Sequence, residues 1–164
     1  MSSQHTYAVD VEWTGAGGTG TSSYTAYSRD HEVRIGSKPV ILGSADPALR
    51  GDPARVSPEE LLVAAVAQCH MLWFLHVAAQ ADVVVRGYED RAVGTLRTEA
   101  AGTGHFTEIV LRPRVQVDGA AVNDEMVARL HRGAHDHCPI ARSLNIPLHI
   151  RPVPLGAEHA HAEA

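Results

Sequence analysis

The stretch Ser57–Ala81, SPEELLVAAVAQCHMLWFLHVAAQA, decides how the rest of the chain is organised. Ser57 is a natural N-cap, Pro58 suits the first helical position, and Glu60 follows Ser57 at the spacing of a capping box. From Leu61 to Ala81 the segment has no Gly, no Pro and few polar side chains, which predicts one unbroken helix. At ~1.5 Å per residue such a helix runs about 35 Å. Apolar on nearly every side, it is expected to be buried all round. Cys69, one of two cysteines in the chain, falls near its middle.

A helix of this length would also suit a bilayer, where about 20 apolar residues are needed. Gln68, His70 and His76 interrupt the apolar run, so it reads as the core of a globular domain with no membrane partner. The chain has 164 residues, with 14 basic against 19 acidic side chains, a net charge of −5 and no basic cluster. That balance excludes a phosphate-reading surface and argues against a nucleic-acid partner. The opening MSSQHTYAVDVEW lacks a charged region followed by an apolar run, so no signal peptide is expected and a cytoplasmic location follows. Two cysteines without an export signal do not make a disulfide scaffold; reactive, metal-binding and buried roles stay open.

Before the helix, residues 5–13 alternate polar and apolar, the period of a strand. GAGGTG (15–20) fits neither GxGxxG nor the Walker pattern and reads as a turn; TSSYTAYSRD (21–30), rich in Thr and Tyr, reads as a second strand. GSADPALRGDPARVSPEE (43–60) is a loop that carries Arg50 and Arg55 to the helix. After the helix, Val83–Thr98 and His105–Val117 read as strands joined by a hairpin, EAAGTGH, with Pro113 predicting an edge position or a bulge. Asn123–His135 has a cap and helical apolar spacing, Cys138-Pro139 opens a second short helix, and LHIRPVPL (148–155) is a last strand. The order is that of an α+β fold, one domain over residues 1–155 with a short polar tail at 156–164.

Cys138, next to a helix start, is expected to be favoured as a thiolate. Cys69 lies in mid-helix and would need a nearby cation; Arg50 and Arg55 are the obvious suppliers. Glu59 stands ten residues before Cys69, about 15 Å along the axis, so an arginine would have to bridge the gap. Two such thiols suit a peroxide-reducing pair, in which a sulfenic acid on one condenses with the other. Two ordinary buried cysteines would satisfy the same composition.

At these residues the chain resembles the OsmC/Ohr family of thiol-dependent peroxidases, over nearly its whole length. The resemblance rests on Ser57-Pro58-Glu59-Glu60-Leu61-Leu62, on Ala64-Ala65 leading to Cys69, and on His137-Cys138-Pro139-Ile140-Ala141. It implies an intertwined homodimer whose long central helices are wrapped by antiparallel β-sheets, and reduction of organic hydroperoxides without a cofactor. It further implies that Cys69 is the peroxidatic cysteine, Cys138 the resolving one, Glu59 the carboxylate that positions an arginine, and a dithiol of lipoyl type the reductant. In the Ohr branch the arginine follows two glycines, but here Gly17-Gly18 precede Thr19. Arg50 matches the OsmC branch, whose arginine lies in the loop before the helix; Arg55 and Arg29 are the alternatives. The set His70-Met71 and Trp73 is bulkier than the family pattern requires.

Two other readings compete. One is a member of the same fold that binds or protects without efficient turnover. The other is a metal-binding protein in which His131, His135 and Cys138 supply ligands, although no HExxH or CxxC pattern accompanies them. His70 reads as a hydrogen-bonded core or interface histidine, and Trp73 and Phe74 as core or pocket wall.

Overall fold

Reciprocal hydrogen bonds open the long helix, α1 (Pro58–Gln80): Glu60 N–H donates to Ser57 Oγ at 3.2 Å and Ser57 N–H to Glu60 Oε2 at 2.7 Å. This is the predicted capping box. The computed structural model describes residues 3–99, 103–119 and 122–157, so most of the polar tail lies outside the described residues. The chain divides into two compact units at Leu61/Leu62, within the first turn of α1.

The first unit carries a three-stranded antiparallel sheet in the order β1 (Asp10–Trp13), β2 (His31–Arg34), β3 (Ile41–Gly43). The expected strand over 21–30 is instead a folded loop. Its β-formers are overridden by local hydrogen bonds: Ser28 N–H to Gly15 O at 3.0 Å, Ala26 N–H to Ser23 O at 3.1 Å, and Arg29 to the carbonyls of Tyr24 and Tyr27. Gly15 is obligatory here, since a Cβ would sit 2.2 Å from Ser28 O. A second loop is pinned by the buried Ser44, whose hydroxyl donates to Asp30 and accepts from Asp52 N–H, each at 3.1 Å.

In the second unit each predicted strand run is cut in two. Val83–Thr98 becomes β4 (Val85–Asp90) and β5 (Val93–Thr98); His105–Val117 becomes β6 (Gly104–Leu111) and β7 (Pro113–Val117). Asp90 Oδ1 accepts from Arg112 N–H at 2.7 Å, tying the two breaks together. β4 pairs with β7 and β5 with β6, both antiparallel, and Thr98 faces Gly104 as the expected hairpin requires; its tip, 100–102, lies outside the described residues. Pro113 begins β7, where a missing N–H is tolerated. β8 (Leu148–Ile150) joins β6 in parallel, so one pairing departs from the expected antiparallel pattern. The architecture is a mixed α+β fold of mainly antiparallel sheets.

Helix α2 (Asp124–His137) is capped by Asn123, which accepts from Met126 N–H at 2.9 Å, and α3 (Pro139–Ser143) follows at once. Phe74 and Ala78 of α1 pack with Val127, Leu130 and Ala134 of α2 and with Val115 of β7; Val66 packs with Ile109 and Leu111 of β6. The expectation that α1 is buried all round is corrected. Only Val66, His70, Phe74 and Ala78 are buried, a single stripe at four-residue spacing, while Leu72 is 59% exposed. One copy of the chain covers one face of its most apolar helix.

Candidate active site

The second unit brings the two cysteines together. Cys69 is half-buried in α1, Cys138 is fully buried where α2 meets α3, and their sulfurs lie 2.7 Å apart as free thiols. A disulfide at about 2.05 Å is a short closing motion away. Cys138 ends one helix and starts the next: its N–H donates to His135 O at 3.2 Å, and its Sγ accepts from Ala141 N–H at 3.4 Å. The expectation that this helix start favours the Cys138 thiolate is corrected. Burial, then the hydrogen bond with Cys69, push its pKa up to about 11, and the amides of the five-residue α3 offset only part of that.

One residue on from Cys69, His70 Nε2 lies 3.0 Å from His131 Nδ1 of α2, with the rings stacked at 5.3 Å. Phe74 stacks on His131 at 4.3 Å. Burial, reinforced by a neighbouring imidazole in each case, lowers the His70 pKa to about 4 and that of His131 to about 3, so both rings are neutral at neutral pH. His70 is thus a hydrogen-bonded core histidine. His131 turns toward His70, and His137 Nδ1 lies 2.8 Å from Gly133 O. Among the described residues no group of three or more His, Cys, Asp or Glu is arranged to hold a metal.

The first unit holds a recess of about 420 Å³ lined by Trp13, Tyr27, Arg29, His31, Pro58 and Glu59, among others. Trp13 Nε1 donates to Ser28 O at 2.9 Å, and its ring meets Tyr27 edge-on at 5.7 Å. The Arg29 guanidinium lies over the rings of Tyr24 and Tyr27, 4.4 and 4.2 Å from their centres, and donates to both backbone carbonyls. Glu59 Oε2 is buried without a hydrogen-bond partner among the described residues.

Of the sequence candidates, Cys69 and Cys138 therefore meet, and Glu59 shares its recess with Arg29. Arg50 is exposed, with φ of 67° at the end of a short 3₁₀ turn, and does not line that recess. Arg55 stands 3.7 Å from Asp30 and 3.6 Å from Asp52. The sequence reading missed Tyr27 and His31 as recess walls. The available signal was the pair of tyrosines at 24 and 27 just before Arg29, hidden by the strand reading of that segment.

Residues 51–152 match the model of the OsmC-like protein family. The chain belongs to the OsmC-like family. An OsmC-like protein of unknown function from Vibrio cholerae is 32% identical over 92% of this chain and 100% of its own, with a TM-score of 0.81. Two more distant structures show the shared OsmC-like fold. An organic hydroperoxide resistance protein from Elizabethkingia anophelis is 18% identical, covering 94% of this chain and 99% of that one, with a TM-score of 0.70. The organic hydroperoxide resistance protein OhrB of Bacillus subtilis is 16% identical, covering 91% and 98%, with a TM-score of 0.64. No curated protein matches the chain.

Proposed function

We propose that this OsmC-like protein is a two-cysteine reductase of organic hydroperoxides, with a role in resistance to them. The observation that carries the reading is the 2.7 Å separation of the Cys69 and Cys138 sulfurs in a family whose solved members include organic hydroperoxide resistance proteins. The Cys69 thiolate attacks the outer oxygen of ROOH; the O–O bond breaks, Cys69 becomes a sulfenic acid, and the alkoxide takes up a proton to leave as ROH. The Cys138 thiol then displaces hydroxide from that sulfenic acid, giving the Cys69–Cys138 disulfide and water. A dithiol, of lipoyl type in our reading, restores both thiols by exchange and leaves as its own disulfide.

Cys69, half-buried in an apolar helix, needs a cation to react. We assign that role to Arg29 in preference to Arg50, because Arg29 and the unpartnered carboxylate of Glu59 line one recess. In this assignment Glu59 draws the guanidinium off the two tyrosines and orients it by a forked hydrogen bond. Trp13, Tyr27 and Pro58 give the recess an apolar wall suited to the carbon skeleton of an organic hydroperoxide. The uncovered faces of α1 are assigned to a second copy of the chain in a homodimer, and the protein to the cytoplasm.

One equivalent of cumene hydroperoxide tests this. Both thiols should be lost, with an intramolecular disulfide in the mass spectrum. Thiols that survive the treatment would remove the reading.

A further inference from the structure

Strand register brings three arginines of the second unit side by side. Asp90 pairs with Pro113 and Val93 with Val110, which sets Arg91 opposite Arg112 at the break between the strands. On the other flank Leu111 pairs with Ile150, and the N–H groups of Arg151 and Val153 donate to Leu111 O and Pro113 O, each at 2.9 Å. Arg151 therefore lies alongside Arg112. Leu111 and Pro113 are buried, and Ala92 and Ile150 pack against the same cluster as Leu111. The arginines, adjacent to these residues in each strand, point to the opposite, outer face. All three are exposed. Neighbouring strands lie about 4.8 Å apart, so the row is about 10 Å long.

Like charges directly opposite one another in a sheet repel, and nothing offsets the repulsion here. Among the described residues no acid forms an ion pair with Arg91, Arg112 or Arg151. Glu89, on the same face, is taken by Arg114 at 3.2 Å. Asp90 falls between the core-packed Tyr88 and Ala92, on the inner face. Its Oδ1 accepts the Arg112 N–H at 2.7 Å and its Oδ2 is buried, although the Arg112 charge favours its ionisation. By contrast, Arg34, Arg55, Arg86, Arg114 and Arg129 each stand against a carboxylate. The chain has 19 acidic against 14 basic side chains, so acids are in excess, yet this row has none. No run of basic residues exists along the sequence; the fold makes one.

We propose that Arg91, Arg112 and Arg151 form a binding site for a compact ligand with a chain of phosphate groups, a nucleoside triphosphate or inorganic polyphosphate. A guanidinium fork grips phosphate oxygens in pairs. Spacing selects the ligand. Side chains on one side of an extended acidic peptide recur about every 6.6 Å, wider than the row. The charges of a phosphate chain lie closer together and can meet all three cations. Size argues against nucleic acid and membrane. Glu89 and Glu108 share the outer face and the net charge is −5, so the patch is too short to follow an extended polyanion. Val93, 48% exposed in the next row, offers an apolar contact for a base. Val66 of α1 packs on Ile109 and Leu111 from the inner side, so the row lies across the sheet from that helix and does not depend on the roles given to the cysteines.

Isothermal titration calorimetry of the whole chain with inorganic tripolyphosphate, at about 50 mM salt to limit screening, tests the site. The wild-type protein should bind one equivalent per chain. Arg91→Gln, Arg112→Gln and Arg151→Gln should each weaken binding about tenfold, with the circular dichroism of the fold unchanged. Arg97→Gln, at an exposed arginine further along β5, should bind as the wild type does. ATP is titrated in parallel: equal affinity assigns the site to the phosphate chain alone, and tighter binding assigns it to a nucleotide. No binding by the wild type, or a loss in Arg97→Gln equal to that in Arg112→Gln, overturns the site. Preference for an oligoglutamate peptide, a DNA duplex or anionic vesicles over tripolyphosphate also overturns it, giving the row to a partner protein, a nucleic acid or a membrane.

Discussion

Arg29 and Glu59 line one recess without pairing: the guanidinium lies on Tyr24 and Tyr27, and Glu59 Oε2 has no hydrogen-bond partner among the described residues. A buried carboxylate oxygen without a partner is costly, and an arginine lining the same recess is the natural group to pair with it. If Arg29 is the cation that activates Cys69, as proposed, Arg29→Ala should slow the first, peroxide-dependent loss of thiol on the order of 10²-fold. Arg50→Ala should leave it unchanged. Stopped-flow thiol oxidation decides between them, and the reverse ranking would return the role to Arg50.

The two cysteines should fail differently. Cys69→Ser is expected to abolish peroxide consumption. Cys138→Ser should consume one equivalent and stop at a sulfenic acid, trapped by dimedone and seen by mass spectrometry. Equal behaviour of the two variants would contradict separate nucleophilic and resolving roles.

Acid should destabilise the fold through His70 and His131. Their folded pKa values, about 4 and about 3, lie below the ordinary 6.5, chiefly through burial. Between those limits the unfolded chain binds more protons than the folded one, so stability falls as pH drops below about 6.5. The slope is at most about 1.4 kcal/mol per pH unit for each histidine. Urea midpoints at about pH 7 and about pH 5 measure it. The double variant His70→Phe/His131→Phe should flatten the dependence, and a wild-type midpoint equal at both pH values would rule the effect out.

Leu72, 59% exposed on the apolar α1, lies outside the buried stripe of that helix. In the homodimer proposed above, a second copy of the chain covers it. Leu72→Glu should leave the helical circular dichroism intact while lowering the mass measured by light scattering from dimer to monomer. A wild-type protein that is monomeric at micromolar concentration would defeat the homodimer assignment.

The elements that were legible in the sequence are those whose signals are local. The capping box of Ser57 and Glu60, the Asn123 cap and the Cys138-Pro139 junction each use side chains within a few residues, and each is where the spacing puts it. The failures are places where distant groups decide. Residues 21–30 have strand-like composition, but Arg29 bonding back to Tyr24 and Tyr27 folds them over, a contact no period of two reveals. The breaks at Arg91 and Arg112 are imposed by Asp90 reaching across to a backbone N–H on the neighbouring run. At the candidate site, thiol chemistry offered a pairing of two cysteines 69 positions apart beside the reading as two ordinary buried thiols, and only the family resemblance gave each cysteine its role. The His70–His131 bond was half visible, since His70 sits on an apolar helix, but its partner was not.

The sulfur of Cys138 accepts the amide proton of Ala141 and so begins α3, a helix of only five residues. So short a helix has little stability of its own and depends on its first turn. In the proposed Cys69–Cys138 disulfide that sulfur would be a poorer acceptor, so oxidation should weaken the cap that reduction supplies. The Ala141 amide then becomes a local gauge of redox state: slow to exchange with deuterium in the dithiol protein, fast in the disulfide, with residues 139–143 loosening where a reductant would have to reach the bond.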